Sequence, residues 1–281
     1  MVLLGLGGGG NDAKFSLMVH NPEESQSFVS DVVAMMVQYG YDGLALDWES
    51  LDSADKPLLP AFVKSLRGHM KTALPKSILL MAVPSTNYGA RWFDGSALAS
   101  QIDLLNVMTY DLHGPWNHAG FNSPLYPSAT DPVDGTQLSF ADFIAVWLNK
   151  GFSAQQILIG IPCYGRGFAA NSWGEIPTAA SPYATLSFLD AEALIDQGWR
   201  RHWDSAARVP WLEKTNGVGL ISYDDADSVR EKGAWARQTG LRGYAFWEIT
   251  QDFRNGDNIL AAAASEGWRN GPIPPNPPAN P

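Results

Sequence analysis

Cysteine and basic side chains are scarce in this sequence of 281 residues. The one cysteine, Cys163, cannot form an internal disulfide, and the five histidines lack the close Cys/His spacing of a metal site. Lysine and arginine total 19 against 29 acidic residues, which gives a net charge of −10. That charge repels a nucleic-acid backbone or an anionic membrane, whereas a neutral or cationic ligand fits it better. We therefore expect no metal, no cofactor, no nucleic acid and no membrane among its partners.

Long apolar runs are absent as well. No stretch of about 18 apolar residues occurs, so no segment is expected to span a membrane. The first ten residues lack the charged start and the cleavage site of a secretory signal peptide. What is present is a composition of 45% hydrophobic and 17% charged side chains, which is typical of one large globular domain. The length lies in the range in which α/β barrels form a single domain.

The last eleven residues differ from the rest in composition. Six of residues 271–281 are proline, and almost none could contribute to a core. This pattern predicts a polyproline-type linker or an unstructured tail. We therefore predict one globular domain over residues 1–270 and a linker over 271–281, with the chain forming part of a longer modular protein.

Short apolar runs alternate with helical patterns along most of the chain. Strand-like runs occupy residues 2–8, 41–49, 78–84, 104–111, 157–164, 219–223 and 243–248. The alternation predicts βα units around a parallel sheet, with about six barrel strands where a closed barrel has eight. Polar residues recur where these runs end, which is the edge that carries the active site in such barrels. Residues 167–218 show no regular pattern apart from a helical patch near 191–196, and we expect them to be irregular.

Two acidic residues, Asp47 and Glu49, end the second strand-like run. Strand alternation places residues 45, 47 and 49 on one face. If that face is the barrel interior, the two carboxyl groups crowd each other in a partly dry site, where one can act as an acid near neutral pH. Glu49 lies nearer the barrel mouth and is the better proton donor. The alternative for an isolated Asp-x-Glu is that it caps the next helix.

The run from Asp42 to Glu49, DGLALDWE, resembles the Asp-Gly-x-Asp-x-Asp-x-Glu signature of family 18 glycoside hydrolases, the chitinases. Residues 2–8 resemble the family's third strand, and residues 108–116, 160–168 and 243–252 resemble its sixth, seventh and eighth strands. Order and spacing fit from the first residues to about Asp252. The resemblance implies a TIM-type (β/α) barrel of class α/β that is incomplete, with about six of eight βα units and without the first two.

The same resemblance implies an activity. Family 18 enzymes hydrolyse β-1,4-linked N-acetylglucosamine in chitin or chitooligosaccharides with retention, and the acetamide of the sugar serves as the nucleophile. Glu49 would protonate the glycosidic oxygen and later activate water. Asp47 would hold the acetamide N–H and stabilise the positively charged intermediate, while Tyr110 would hydrogen-bond the acetamide oxygen.

Further residues are implied to bind the sugar chain. They are Met108 and Asp111 in the acetamide pocket, Trp116 and Trp247 as stacking platforms, and Tyr164 and Arg166 as partners of hydroxyl groups. The alternative for a single tryptophan is a core position, and for Arg166 it is a solvated or ion-paired surface group. We interpret His113 as structural, because a lone histidine more often is.

Two features depart from the family pattern. Ala45 stands where the family usually has its middle aspartate, so Asp47 should ionise more easily, and activity should be reduced or shifted in pH. The chain begins at the family's third strand, which would leave open strand edges and favour a homo-oligomer formed through the gap. The segment between Arg166 and Gly219 looks too short and irregular for the α+β insertion of some relatives, which favours an open groove and endo cleavage.

Two other functions stay open. One is a non-catalytic or weakly active sugar-binding protein of the same fold, and the other is an endo-β-N-acetylglucosaminidase that acts on N-glycan cores. Glu49 favours hydrolysis, and the match at Trp116 favours chitin. The family and its insoluble substrate imply secretion to the extracellular space.

Overall fold

The computed structural model describes residues 1–131 and 139–272, so nearly all of the predicted linker over 271–281 lies outside the described residues. The chain divides into two compact units, each made from two chain segments. The first unit comprises Met1–Met108 and Ile144–Leu158, and the second comprises Thr109–Phe143 and Ile159–Pro281. Across the described ranges, no helix has the length and apolar character needed to cross a membrane.

The first unit is built from parallel strands alternating with helices. The strands are β1 Leu3–Gly7, β2 Gly43–Asp47, β3 Ile78–Pro84 and β4 Leu104–Met108. The helices are α1 Asp12–Val19, α2 Pro22–Tyr39, α3 Leu59–Ala73, α4 Asn87–Ala90 and α5 Gly95–Leu98, and α6 Phe140–Asn149 ends in this unit. The four strands pair in parallel in the order β1-β2-β3-β4. The predicted βα alternation is confirmed here.

Local sequence signals explain how α2 begins and ends. The side chain of Asn21 accepts hydrogen bonds from the backbone N–H groups of Glu23 and Glu24, which have no partner inside the helix. Pro22 occupies the first turn, where its missing N–H costs nothing. Gly40 ends the helix in the left-handed conformation, with φ of 72°, which glycine adopts without strain. Asn21-Pro22 and Gly40 are sequence signals that predict these two boundaries.

The second unit contains the last barrel strands and a separate antiparallel sheet. Its strands are β5 Ile157–Pro162, which starts at the end of the first unit, β6 Tyr164–Phe168, β7 Leu186–Ser187, β8 Trp199–Asp204, β9 Val209–Lys214, β10 Leu220–Ser222, β11 Gly243–Trp247, β12 Phe253–Arg254 and β13 Asp257–Asn258. Its helices are α7 Phe188–Ile195, α8 Ala226–Gln238 and α9 Ile259–Asn270. Strand β11 lies beside β5, and five strands form the antiparallel order β7-β6-β10-β9-β8. With β1 to β4, strands β5 and β11 bring the barrel-type strands of the described residues to six, as predicted.

Helix α7 confirms the helical patch predicted near 191–196, but the prediction that the rest of residues 167–218 is irregular is wrong. The segment also contains strands β7 to β9, so the expectation that it is too short and irregular for an α+β insertion is wrong too. The sequence of β8 shows no alternation of apolar and polar residues, so it gave no strand signal. Contacts between side chains join it to β9: His202 stacks on Trp211, with 4.1 Å between ring centroids, and its Nε2 lies 2.9 Å from a Glu213 carboxylate oxygen. The run at 219–223 also belongs to this sheet and not to the barrel.

Candidate active site

The end of β2 carries its side chains as strand alternation predicts. Leu44, Leu46 and Trp48 are fully buried, and Trp48 stacks on Phe15 of α1 with 5.4 Å between ring centroids. The residues between them, at positions 45, 47 and 49, are only half-buried and share the opposite face. Asp47 and Glu49 therefore point to the same side, and the next helix, α3, has Leu58 at its N-cap with no side-chain capping bond, so neither acidic residue caps it.

The carboxyl group of Asp47 lies in a poorly solvated position. Its Oδ1 is buried and has no hydrogen-bond partner among the described residues. Burial raises the pKa of this carboxyl above its ordinary value, and the negative charge of Asp12 raises it further. Asp47 therefore holds its proton to a higher pH than an exposed aspartate. The expectation that Asp47 ionises more easily considered only the missing charge at position 45 and did not include Asp12, an acidic neighbour that the sequence does not reveal.

A glycine-rich turn after β1 lies against both carboxyl groups. Gly7 has φ of 117°, and a side chain there would meet the Asp47 carbonyl oxygen at 2.2 Å. The Gly8 N–H donates to that same oxygen at 2.8 Å. A Cβ on Gly8 would lie 3.7 Å from Oδ2 of Asp47, and one on Gly9 would lie 3.8 Å from both carboxylate oxygens of Glu49. The absence of side chains in the turn leaves the approach to these carboxyl groups open.

Asp12 connects the start of α1 to the segment that carries Glu49. Its Oδ1 accepts hydrogen bonds from the backbone N–H groups of Glu49, at 2.9 Å, and Ser50, at 3.0 Å. Asp12 was not predicted as a site residue, because the glycine run of residues 7–10 before it indicates only a turn and the clear helix-start signal, Asn21-Pro22, comes after it. The signal was present as an acidic residue in the first turn of a helix, which the helix dipole favours.

Two other residues of the first unit bear on the site. Ala45 lies in register between Gly5 of β1 and Leu80 of β3, so its neighbours in the sheet are small or apolar. Met108 ends β4 opposite Pro84 and is half-buried. Met108 is thus partly accessible at the end of its strand, and its place in the acetamide pocket stays a prediction.

In the second unit, Asp111 and Arg166 form an ion pair. The Arg166 Nε donates to Oδ1 of Asp111 at 2.8 Å, and an Nη lies 2.7 Å from the same oxygen. The Arg166 side chain is largely buried, and its guanidinium also donates to Thr185. The ion-paired alternative for Arg166 is thus observed, with the Arg166 side chain 14% exposed and that of Asp111 37% exposed.

Aromatic rings surround this ion pair. The guanidinium carbon of Arg166 lies 4.9 Å from the ring centroid of Tyr164 and 5.1 Å from that of Trp116. Tyr164 also meets Tyr110 edge-on, with 6.1 Å between ring centroids. Burial raises the pKa of the Tyr164 hydroxyl, and the nearby Asp111 charge adds to the effect. Tyr164 is therefore neutral at pH 7 and can donate a hydrogen bond.

Both predicted stacking platforms are exposed. Trp116 is 58% exposed and Trp247 is 55% exposed, whereas Trp48 and Trp147 are fully buried. The ring of Trp116 covers Gly114, where a Cβ would lie 2.3 Å from the ring. The Trp247 carbonyl oxygen accepts a hydrogen bond from the Cys163 N–H at 2.7 Å. The core alternative is therefore wrong for these two tryptophans.

His113 is buried in the loop that carries Trp116. Its Nε2 lies 3.4 Å from Oδ1 of Asp131, which is also buried. Burial lowers the pKa of the His113 imidazole and raises the pKa of Asp131 to about 7. A buried histidine packed against a buried carboxyl group agrees with the structural interpretation.

Asn122 is a further residue that the sequence did not reveal. Its side-chain oxygen accepts the Asp111 N–H at 2.9 Å, and its Nδ2 donates to the Tyr164 carbonyl at 3.4 Å. Its own N–H donates to Oγ of Ser222 at 2.8 Å. Asp111 has φ of 59°, so its backbone needs such support. A single asparagine in a loop carries no motif by which it could be recognised.

Comparison with known proteins gives a consistent result. The family model described as Glycosyl hydrolases family 18 matches residues 1–252. An "Endochitinase" of Manduca sexta is 31% identical over 280 residues, covering 85% of this chain and 48% of the relative. A "Class V chitinase" of Arabidopsis thaliana is 30% identical over 284 residues, covering 95% of this chain and 72% of the relative. The chain thus spans about half the length of the Manduca sexta protein.

Solved structures identify the fold. Ostrinia furnacalis Group IV chitinase in complex with allosamidin has a TM-score of 0.87 and 25% identity, covering 96% of this chain and 79% of that chain. A mutant of Group II chitinase catalytic domain 2 from the same organism, in complex with (NAG)5, has a TM-score of 0.84 and 27% identity, covering 98% and 79%. The fold is a TIM-type (β/α) barrel, of which the described residues contain six strands.

Proposed function

Because the chain belongs to glycosyl hydrolases family 18, we propose that it hydrolyses β-1,4-linked N-acetylglucosamine in chitin or chitooligosaccharides. The names of the Manduca sexta and Arabidopsis thaliana relatives support a chitinase, and the first of them supports endo action. The observation that carries the proposal is the pair of carboxyl groups of Asp47 and Glu49, on one face at the end of β2 with a glycine-only turn against them. We take residues 1–270 as the catalytic domain.

In the proposed reaction, the Glu49 carboxyl donates its proton to the glycosidic oxygen as the bond to the anomeric carbon breaks. The acetamide oxygen of the same sugar forms a bond to that carbon, which gives a positively charged oxazolinium. Glu49, now ionised, then takes a proton from the water that opens this ring, so that configuration is retained. Asp47 accepts the acetamide N–H and stabilises the positive charge electrostatically.

The remaining candidates recognise a neutral sugar chain. Tyr110 donates to the acetamide oxygen, and Met108 lines the acetamide pocket. Asp111 and Arg166 offer an acceptor and donors to sugar hydroxyls, with Tyr164 as a neutral donor. The exposed rings of Trp116 and Trp247 give flat apolar surfaces on which pyranose rings stack.

The decisive experiment is release of fluorophore from 4-methylumbelliferyl chitobioside and chitotrioside across pH. We compare the wild type with Glu49→Gln, which removes only the proton-transfer function, and with Glu24→Gln as a control at an exposed glutamate of α2, away from the site. Turnover that is lost in Glu49→Gln and kept in Glu24→Gln supports the proposal. Equal turnover in Glu49→Gln and the wild type contradicts it.

A sugar-binding protein without catalysis is the second candidate, favoured by Ala45 in place of an acidic residue. Calorimetric titration with chitotetraose separates the two, because this candidate predicts binding without turnover. An endo-β-N-acetylglucosaminidase would instead release a high-mannose N-glycan from a glycopeptide, which mass spectrometry detects. We propose that the protein acts outside the cell, where an insoluble polysaccharide is accessible.

We also propose that copies of the chain associate through the edge of β1. This strand pairs with β2 on one side, and no described strand pairs with its other side. A cavity of about 410 Å³ beside it is lined by apolar side chains, namely Leu6, Phe15, Met18 and Phe28, together with Gly7, Asn11 and Lys14. Light scattering after size-exclusion chromatography tests the proposal, and a monomer at all concentrations would refute it.

A further inference from the structure

Asp12 holds the backbone at the proposed acid residue from a different part of the chain. Its Oδ1 accepts the N–H groups of both Glu49 and Ser50, at 2.9 and 3.0 Å. Two hydrogen bonds to one carboxylate oxygen fix the chain on either side of the Glu49 Cα, and bonds to a charged acceptor are strong. The segment 48–50 has left the β2 ladder, which ends at Asp47, so these bonds replace those of the sheet.

The charge of Asp12 also acts on the second carboxyl of the pair. It contributes, after burial, to the raised pKa of Asp47. Position 45, on the same face of β2, offers only a methyl group. The other charged groups in the vicinity include Glu49 itself and, on α1, Lys14, whose ammonium donates to the side-chain oxygen of Asn11 at 3.0 Å.

We propose that Asp12 is a positioning residue for the reaction assigned above: it holds Glu49 through the backbone and keeps a second negative charge beside Asp47. This inference rests on the proposed function. Asp12 itself touches neither of the bonds that break and form, so its effects pass through the two carboxyl groups.

Two substitutions separate the two roles. Asp12→Asn keeps the acceptor oxygen and removes the charge, and Asp12→Ala removes both. Asp31→Asn, at an exposed aspartate of α2, makes the same change in net charge away from the site and is the matched control. We would follow the side-chain carboxyl carbon of Asp47 by NMR through a pH titration, assigned with Asp47→Asn, and measure kcat and KM on the chitotrioside across pH.

We expect Asp12→Asn to lower the pKa of Asp47 and to move the acidic limb of the kcat profile to lower pH. Asp12→Ala should in addition lower kcat between about tenfold and a hundredfold, with KM nearly unchanged, because Glu49 loses its fixed position. Asp31→Asn should do neither.

The inference is overturned if Asp47 titrates alike in Asp12→Asn, Asp31→Asn and the wild type, or if Asp12→Ala retains the wild-type kcat. Should Asp12→Ala fail to fold by circular dichroism, the Asn variant decides. A wild type that hydrolyses no chitooligosaccharide would refute the proposed function, and the NMR titration, which needs no turnover, would then decide the electrostatic part by itself.

Discussion

At the scale of single residues, Ala45 is the departure from the family pattern with the clearest chemical consequence, because the family usually has an aspartate at this position. A carboxyl group at this position would share a face with Asp47 and add a like charge to a site that is already poorly solvated. We expect Ala45→Asp to move the acidic limb of the pH profile to higher pH, because a like charge raises the pKa of Asp47, and to raise the rate at the optimum roughly tenfold.

Ala45→Asn is the control for this change, since it adds similar volume without charge. An Ala45→Asp variant with the wild-type rate and the wild-type pH profile would show that position 45 has no influence on the carboxyl pair.

The raised pKa of Asp47 also predicts how the stability of the protein depends on pH. Its folded-state pKa is raised, so the folded protein binds this proton more tightly than the unfolded chain does. The resulting stabilisation is complete below the unfolded pKa of about 4 and is lost as pH rises through the folded value. Asp47→Asn should therefore be more stable than the wild type at pH 7, and this difference should shrink at pH 4. Urea unfolding at both pH values measures it.

Individual site residues also show which parts of the site the sequence could predict and which it could not. Strand period alone placed Asp47 and Glu49 on one face, because that geometry is local. Asp12 and Asn122 could not be found this way, because their contacts join residues 37 and 11 positions apart through loops of no regular pattern. Exposure of Trp116 and Trp247 likewise depends on packing, which a residue's identity does not determine.

At the scale of elements, the loop between β4 and α6 is organised by Asn122. Its side-chain oxygen accepts a hydrogen bond from the N–H of Asp111, whose backbone is in the left-handed region, and its Nδ2 donates to the carbonyl of Tyr164. We expect Asn122→Ala to raise KM for the chitotrioside by about tenfold while kcat falls less, since the proposed binding residues lose their support and Glu49 is untouched. Asn122→Asp keeps the acceptor but replaces the donor to the Tyr164 carbonyl with a buried charge, so it should be no milder. Equal KM in Asn122→Ala and the wild type would contradict this role.

Helix α8 is joined to that same loop by a hydrogen bond from Lys232, which also forms a buried ion pair with Asp224. The Lys232 ammonium lies 2.5 Å from Oδ1 of Asp224 and donates to the Ser123 carbonyl at 2.6 Å, and both charged side chains are inaccessible to solvent. Lys232→Met leaves Asp224 charged and unpaired in the interior, which should lower the free energy of unfolding by about 3–5 kcal/mol.

The double variant Lys232→Met/Asp224→Leu is the control, because it removes both charges. It should recover a large part of the loss in chemical denaturation. A single variant as stable as the wild type would mean that the pair contributes nothing.

The composition of the strands explains why the sequence predicted the barrel strands but not β8. The barrel strands are apolar runs and were located to within a few residues, whereas β8 reads Trp-Arg-Arg-His-Trp-Asp and is held by side-chain pairs across the sheet. The spacing of apolar residues predicts a strand only where one of its faces is buried, so a strand with few buried apolar side chains is not predicted from it.

At the scale of the whole molecule, the net charge of −10 distinguishes substrates that the site chemistry would treat alike. Fully acetylated chitooligosaccharides are neutral, and partly deacetylated ones are cationic. We expect the apparent affinity for the deacetylated forms to fall as salt rises from about 0.01 to 0.5 M, because the attraction is screened, while that for the acetylated forms stays constant. Calorimetric titrations of both series test this, and a parallel salt dependence would contradict it.

The glycine turn after β1, residues 7–10, offers a position from which the ionisation of Glu49 can be measured chemically. Gly9 lies outside the left-handed region, and a Cβ there would be in ordinary contact with both oxygens of Glu49. A Gly9→Cys variant would place one reactive thiol at that spot, while burial holds the pKa of the native Cys163 thiol at about 12, so that it stays unlabelled. The rate at which a disulfide reagent modifies the new thiol would then report the ionisation of Glu49, in real time and without any substrate.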